Sequence, residues 1–140
     1  MPKTKLALTI PAALILMSQS VFAETHVVTA QGMQYEPLVI KIAPGDTVRW
    51  DNMPTHNVET IDGLVPEGVE KINSPMGENY QHTFEEEGVY IYQCTPHIGA
   101  GMGGAVIVGE PTNLDVIKAS DVKGGLGRVV RQTIKEAEAM

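Results

Sequence analysis

Residues 88–104 read GVYIYQCTPHIGAGMGG, a strand-like run followed without a break by a glycine-rich loop. The mixture of Val, Ile and Tyr in the first half favours a β-strand. Alternate side chains of a strand face opposite sides, so Tyr90, Tyr92 and Cys94 share one face while the residues between them share the other. Cys94 is therefore predicted to end a strand, on the face that carries the two tyrosines.

Other short runs of the same composition lie on both sides of this stretch. They cover residues 25–30, 38–42, 47–51 and 105–108. Pro44-Gly45-Asp46 separates two of the runs, and a turn is predicted there because Pro fixes φ and Gly tolerates a positive φ. Residues 24–109 are therefore predicted to fold as the hairpins of a small, all-β antiparallel sandwich or barrel.

The pattern changes after residue 110. Asn113 is the predicted N-cap of a short helix that contains Leu114 and Ile117. A second helix is predicted from apolar residues at helical spacing, namely Leu126, Val129, Val130, Ile134 and Ala137. Because isolated helices of this length are marginal in water, the two-helix tail, residues 112–139, is expected to pack on the sheet.

Residues 1–23 have the pattern of a secretory signal. Lys3 and Lys5 precede an apolar run over residues 6–17, and Ala23 ends a Val-Phe-Ala sequence suited to a signal peptidase. The apolar run has twelve residues, whereas a membrane-spanning helix needs about 20. We therefore expect cleavage after Ala23, a periplasmic location and a mature single domain, residues 24–140, without membrane attachment.

Charge and cysteine content exclude several classes of function. The net charge is −7, and loss of residues 1–23 with their two lysines changes it to −9. Such an acidic chain has no general affinity for nucleic acid, which requires Lys and Arg. Cys94 is the single cysteine, so an intrachain disulfide and a multi-cysteine zinc module are both excluded. A lone thiol in an oxidising compartment must be buried or bound to resist oxidation.

The loop after the strand carries three candidate metal ligands. His97 follows Cys94 by three residues, and Met102 follows His97 by five. His56 is a fourth candidate, and the adjacent Asn57 is placed to tie its segment to the loop. Thiolate, two imidazoles and a weak thioether suit copper, whereas zinc favours another His, Cys or carboxylate over Met102.

These residues resemble the cupredoxins, the small blue copper proteins, and within that family the pseudoazurin group. The resemblance is carried by Cys94-Thr95-Pro96-His97, His56-Asn57-Val58-Glu59-Thr60 and Ala43-Pro44-Gly45-Asp46-Thr47-Val48, together with Glu78-Asn79-Tyr80, Gly88-Val89-Tyr90 and the two-helix tail. It implies an eight-stranded Greek-key sandwich and one type 1 copper ion. The implied copper ligands are His56, Cys94, His97 and Met102.

The resemblance also implies a function. The chain is expected to be a monomeric one-electron carrier, not an enzyme, that docks weakly and transiently with redox proteins. The implied donor is a cytochrome, and the implied acceptor is a reductase, commonly the nitrite reductase of denitrification. His97 is expected at the surface within an apolar patch formed in part by Met33, Pro96, Ile98 and Ala100.

Three alternatives remain open from the sequence. The chain could be a copper carrier or storage module, which delivers the metal instead of cycling its charge. It could resemble plastocyanin or amicyanin more closely and serve a different enzyme, since the mature chain is acidic. Cys94 could also be the nucleophile of a thiol hydrolase with His97 or His56 as base, although the sequence shows no helix N-terminus or cleft suited to this role.

Overall fold

The computed structural model describes residues 22–140, so most of the predicted signal segment lies outside the described residues. The strands are β1 (Thr25–Gln31), β2 (Gln34–Glu36), β3 (Val39–Ile42), β4 (Thr47–Asp51), β5 (Glu59–Thr60), β6 (Tyr80–Thr83), β7 (Gly88–Gln93) and β8 (Gly103–Val108). The helices are a 3₁₀ helix (Thr95–Ala100), α1 (Leu114–Ala119) and α2 (Gly124–Glu138). Within residues 22–140, no helix has the length and apolar character that crossing a bilayer requires.

The eight strands form two four-stranded sheets, in the orders β2-β1-β4-β6 and β3-β8-β7-β5. The predicted eight-stranded sandwich with two C-terminal helices is therefore confirmed. The prediction of purely antiparallel hairpins was wrong, because β1 pairs with β4 and β3 with β8 in parallel. The chain passes repeatedly from one sheet to the other, so most neighbouring strands in a sheet are not neighbours in sequence; β1 with β2 and β7 with β8 are the exceptions.

The turn at Pro44-Gly45-Asp46 shows this difference directly. Gly45 has the positive φ of 91° that the sequence predicted. The turn nevertheless joins β3 in one sheet to β4 in the other, so it crosses between the sheets and closes no hairpin.

Strands β7 and β8 are covered on both faces. The predicted alternation is confirmed in β7, because Tyr90 and Tyr92 face the core between the sheets while Val89 and Ile91 face the helices. All six residues of β8 are buried. Strands covered on both faces have the nearly continuous apolar sequence seen here, and they form the buried centre of the molecule.

Asn113 precedes α1 as predicted, but its side chain does not cap the helix. Instead, its Oδ1 accepts the Val89 N–H at 2.7 Å and its Nδ2 donates to the Val89 carbonyl at 2.9 Å. The short strand β5 pairs only with the far end of β7, at Tyr92 and Gln93. The Asn113 amide therefore takes the place of a neighbouring strand, which is why its capping role was predicted wrongly.

The N-terminus of α2 packs directly on the loop that follows β7. A Cβ atom built on Gly125 would lie 2.5 Å from the Cα of Gly101, a distance that real Cβ atoms do not adopt. Glycine at both positions lets the two backbones touch. The C-terminal helix thereby supports the loop that carries His97 and Met102.

We predict that Gly125→Ala will destabilise the protein by about 1–3 kcal/mol, because the added methyl group must push α2 away from the loop. Gly99→Ala is the matched control in the same region, since a Cβ there meets nothing within 4 Å. Urea unfolding of both variants checks the prediction. A Gly125→Ala protein as stable as the control would show that the contact is not tight.

Candidate metal centre

Three side chains that the sequence singled out meet at one end of the sandwich. His56 Nδ1 lies 3.6 Å from Cys94 Sγ, and His97 Nδ1 lies 3.4 Å from the same sulfur. The two Nδ1 atoms are 3.2 Å apart. Among residues 22–140, this is the one group of three or more His, Cys, Asp or Glu residues whose ligand atoms converge in this way.

The spacing of these atoms suits one metal ion. Ligand atoms about 2 Å from a shared ion, at angles between tetrahedral and trigonal, are separated by about 3.3–3.6 Å. A thiolate with two imidazoles selects a soft or borderline metal over Mg²⁺ or Ca²⁺, which prefer oxygen. The side chains present therefore fit the copper ion that the sequence predicts.

Backbone hydrogen bonds hold Met102 close to the other candidate ligands. The Cys94 N–H donates to the Met102 carbonyl at 2.9 Å, and the Met102 N–H donates to the His97 carbonyl at 3.2 Å. Gly101, with φ of 69°, makes the turn that returns the chain to Cys94. The Met102 side chain is buried in the same core cluster as Cys94, so its thioether is closed to solvent.

Asn57 joins the two segments that carry the histidines. Its Oδ1 accepts the Thr95 N–H at 2.8 Å and the Thr95 hydroxyl at 3.2 Å. The backbone carbonyl of Asn57 accepts the Tyr35 hydroxyl at 2.6 Å, and the Gly77 N–H donates to the His56 carbonyl at 3.0 Å. The predicted link from Asn57 to the loop is thus present, and the His56 segment is held by separate parts of the chain.

Burial sets the electrostatics of the site. It lowers the pKa of His56 below the ordinary value for histidine, and the neighbouring His97 lowers it further. A neutral imidazole is the form that binds a metal. Cys94 is 0% exposed, so the thiol is closed to solvent. Burial, followed by the charge of Cys94, raises the pKa of Tyr35, which keeps the Tyr35 hydroxyl a hydrogen-bond donor.

His97 is the partly exposed member of the group, at an apolar surface. The four residues expected in the patch are all exposed, namely Met33, Pro96, Ile98 and Ala100. Met76 is also exposed, at 53%, and it precedes the residue whose N–H binds the His56 carbonyl. His97 is thus flanked in its own loop by two exposed apolar side chains, those of Pro96 and Ile98.

Comparison with known proteins agrees with this geometry. The family of copper binding proteins described as the plastocyanin/azurin family matches residues 23–109. A putative pseudoazurin from Rhizobium leguminosarum bv. viciae is 45% identical over 79% of this chain and 78% of its own length. A pseudoazurin from Paracoccus pantotrophus is 41% identical over 78% of this chain and 81% of its own length. A solved pseudoazurin structure from Sinorhizobium covers 83% of this chain and 98% of its own, with 35% identity and a TM-score of 0.76.

A β-sandwich that brings two histidine nitrogens and a cysteine sulfur together at one end defines a class, the small blue copper proteins. The chain belongs to the plastocyanin/azurin family of copper-binding proteins. Within that family it belongs with the pseudoazurins, the name carried by the two relatives and the solved structure described above. Copper is therefore its metal.

Sequence reasoning missed the part that Tyr35 plays. Its hydroxyl donates to the backbone carbonyl of Asn57, 22 residues further along the chain. Its ring packs against that of Tyr92, with the two ring centroids 5.1 Å apart. No motif or spacing relates these residues, because the contact depends on how the two sheets face each other. The contact of Gly125 with Gly101 was missed for the same reason.

We predict that Asn57→Ala will lower the free energy of unfolding by about 1–3 kcal/mol, because it leaves the Thr95 N–H without its acceptor. The copper absorption band should shift or broaden as the loop gains freedom. Thr95→Val is the matched control, since it removes the longer hydroxyl contact but keeps the backbone N–H bond. Equal effects of the two variants in urea unfolding would contradict this role of Asn57.

Proposed function

We propose that this chain is a periplasmic one-electron carrier whose single type 1 copper is bound by His56, Cys94, His97 and Met102. The observation that carries the proposal is the convergence of His56 Nδ1, His97 Nδ1 and Cys94 Sγ within 3.6 Å of one another. Bound copper supplies a Cu(I)/Cu(II) couple, whose potential the thiolate and the weak thioether tune.

The chain contributes a frame that moves little when one electron is gained or lost. Cys94 begins the loop directly after β7, a strand covered on both faces, and its N–H is bonded to Met102. His56 is held through Asn57 and through its own carbonyl. A ligand set held from several directions suits both oxidation states, so electron transfer requires little rearrangement of the protein.

His97 is placed to be the point of electron entry and exit. Cys94, Met102 and His56 are all buried. His97 is partly exposed and lies among exposed apolar side chains. A small apolar surface of this kind favours weak, transient docking, which a shuttle requires in order to release each partner quickly.

The partners we propose are a cytochrome-type donor and a reductase acceptor, first of all a nitrite reductase. Membership among the pseudoazurins supports this choice. The loops at the metal end, residues 31–34, 52–57, 74–77 and 95–100, contain no Asp, Glu, Lys or Arg. The loops proposed to meet the partner are thus uncharged, although the chain as a whole is acidic.

We further propose that the precursor is exported and cut after Ala23, and that the mature domain, residues 24–140, acts as a monomer. The basic start and apolar run of residues 1–17 support export. An oxidising periplasm is compatible with a single cysteine, because Cys94 is fully buried and would be bound to copper.

The other functions fit the structure less well. A thiol hydrolase needs a nucleophile that substrate can reach, whereas Cys94 is 0% exposed. A carrier that delivers copper needs ligands that release it readily, whereas these ligands are held by hydrogen bonds among several segments. A donor to an enzyme of the amicyanin or plastocyanin kind would use the same site and differ only in its partner.

We predict that the copper(II) protein absorbs intensely in the visible through thiolate-to-copper charge transfer, and that Cys94→Ser abolishes this band and the redox activity. Met102→Leu is the control, and it should keep the band because the thiolate is its source. Circular dichroism should show that both variants keep the sandwich. A colourless wild-type complex, or rapid loss of its copper to a mild chelator, would favour the copper carrier.

We predict that the rate constant for electron transfer to a copper nitrite reductase changes less than about threefold between about 0.01 and 0.15 M ionic strength, because the docking surface is uncharged. Stopped-flow oxidation of the reduced protein measures it. Ile98→Asp should slow the reaction about tenfold, and Glu86→Gln, at the other end of β7, should leave it unchanged. A steep salt dependence would mean that the acidic surface takes part in docking.

A further inference from the structure

The Asp46 carboxylate is a buried acceptor for three nitrogen donors. Its Oδ1 accepts the backbone N–H of Glu24 at 2.9 Å. Its Oδ2 lies 2.8 Å from His26 Nε2 and accepts the Ala43 N–H at 3.0 Å. Asp46 is only 5% exposed, and the hydrogen bonds, with that from Glu24 the largest contribution, lower its pKa below the ordinary value for aspartate.

Glu24 is fixed in front of this carboxylate by its own backbone. Its carbonyl accepts the Thr47 N–H at 2.8 Å, on the strand that pairs with β1. Phe22 and Ala23, which precede it, are exposed, Phe22 at 83%. The nitrogen atom aimed at Asp46 is therefore that of the first residue expected after cleavage of the signal segment.

We propose that Asp46 is a binding site for a primary ammonium group, the α-ammonium of Glu24 that forms when the chain is cut after Ala23. The inference rests on the proposed export and cleavage. Hydrolysis by water breaks the Ala23–Glu24 peptide bond, leaves a carboxylate on Ala23 and an amine on Glu24, and the amine takes up a proton. An uncharged N–H donor is thereby replaced by a charged donor at the same position.

This replacement strengthens a contact that already exists. A hydrogen bond between two charged groups is shorter and stronger than one between an amide and a carboxylate. Glu24 is already ordered, so little further freedom is lost. The titratable groups that face the pair are His26 and, 4.0 Å from His26, the Glu24 carboxylate. Removal of the signal segment therefore stabilises the mature domain relative to its precursor.

The stabilisation depends on pH through both partners. The pairing raises the pKa of the Glu24 amine above its usual value of about 8, so this contribution is complete below pH 8 and is lost as pH rises through the raised pKa. Asp46 has a lowered pKa in the folded state, so its contribution is present above about pH 4 and is lost as pH falls further. Neutral pH lies between the two limits.

The first experiment compares two copper-loaded proteins purified from the periplasm after export of the full precursor. One has the natural sequence, and the other has Gly-Ser inserted between Ala23 and Glu24, so that its ammonium lies two residues before Glu24 and no longer at the nitrogen that contacts Asp46. At pH 6, the natural protein should have an unfolding equilibrium constant about tenfold smaller. The difference should vanish above about pH 10. Equal stability at pH 6 would overturn the proposal.

The second experiment repeats the comparison in the Asp46→Asn background, where the insertion should no longer change stability. A tenfold difference that persists there would assign the effect to something other than Asp46 and overturn the proposal. Should Asp46→Asn fail to fold, an NMR titration of the natural protein labelled with ¹⁵N at glutamate decides the matter without any substitution. The amine of Glu24 should titrate with a pKa above the usual one for an α-amine, because the Asp46 carboxylate favours its charged form, and an ordinary value would refute the ion pair.

Two further readouts separate this inference from the proposed function. The intact mass of the exported protein shows whether Glu24 is the first residue, and any other start would overturn the inference. The visible copper band is independent of Asp46 and should be the same in all four proteins. Loss of the stability difference with a normal band refutes the ammonium site alone, whereas an absent band refutes the proposed one-electron carrier.

Discussion

The structure depends on one constraint, which is that a sulfur atom and two nitrogen atoms from two segments of the chain must stay within 3.6 Å of one another. Metal binding alone could draw them together, but a flexible site would rearrange each time its charge changed. Here Asn57 links the His56 segment to the loop, and Met102 closes that loop on Cys94. The hydrogen bonds are internal to the protein, so the geometry belongs to the fold.

The rest of the molecule supports this end of the sandwich. Strands β7 and β8, which flank the loop, are packed between the other sheet on one face and the C-terminal helices on the other. Asn113 binds the free edge of β7, and α2 touches the loop through Gly125. The helical tail is thus a structural part of the metal centre, although it supplies no candidate ligand.

The loops at the metal end are uncharged, although the chain as a whole is acidic. The loops around His97 carry no Asp, Glu, Lys or Arg, while Glu85, Glu86 and Glu87 lie at the other end of β7. The net charge of the chain therefore bears on its solubility more than on the recognition of its partners. Asp46, in contrast, is a buried acid. Its carboxylate accepts the backbone N–H of Glu24, directly before β1.

The sequence by itself determined the candidate ligands, the alternation of β7 and the apolar face of α2, because spacing and periodicity are local properties of the chain. The two unpredicted parallel strand pairs, the contact of Tyr35 with Asn57 and the binding of Asn113 to Val89 were decided only by the tertiary structure. Each joins residues distant in sequence, and their approach depends on how the sheets and helices pack. Local sequence patterns hold no information on that packing. They therefore identified the candidate metal ligands but not the hydrogen bonds and contacts that hold those ligands in place.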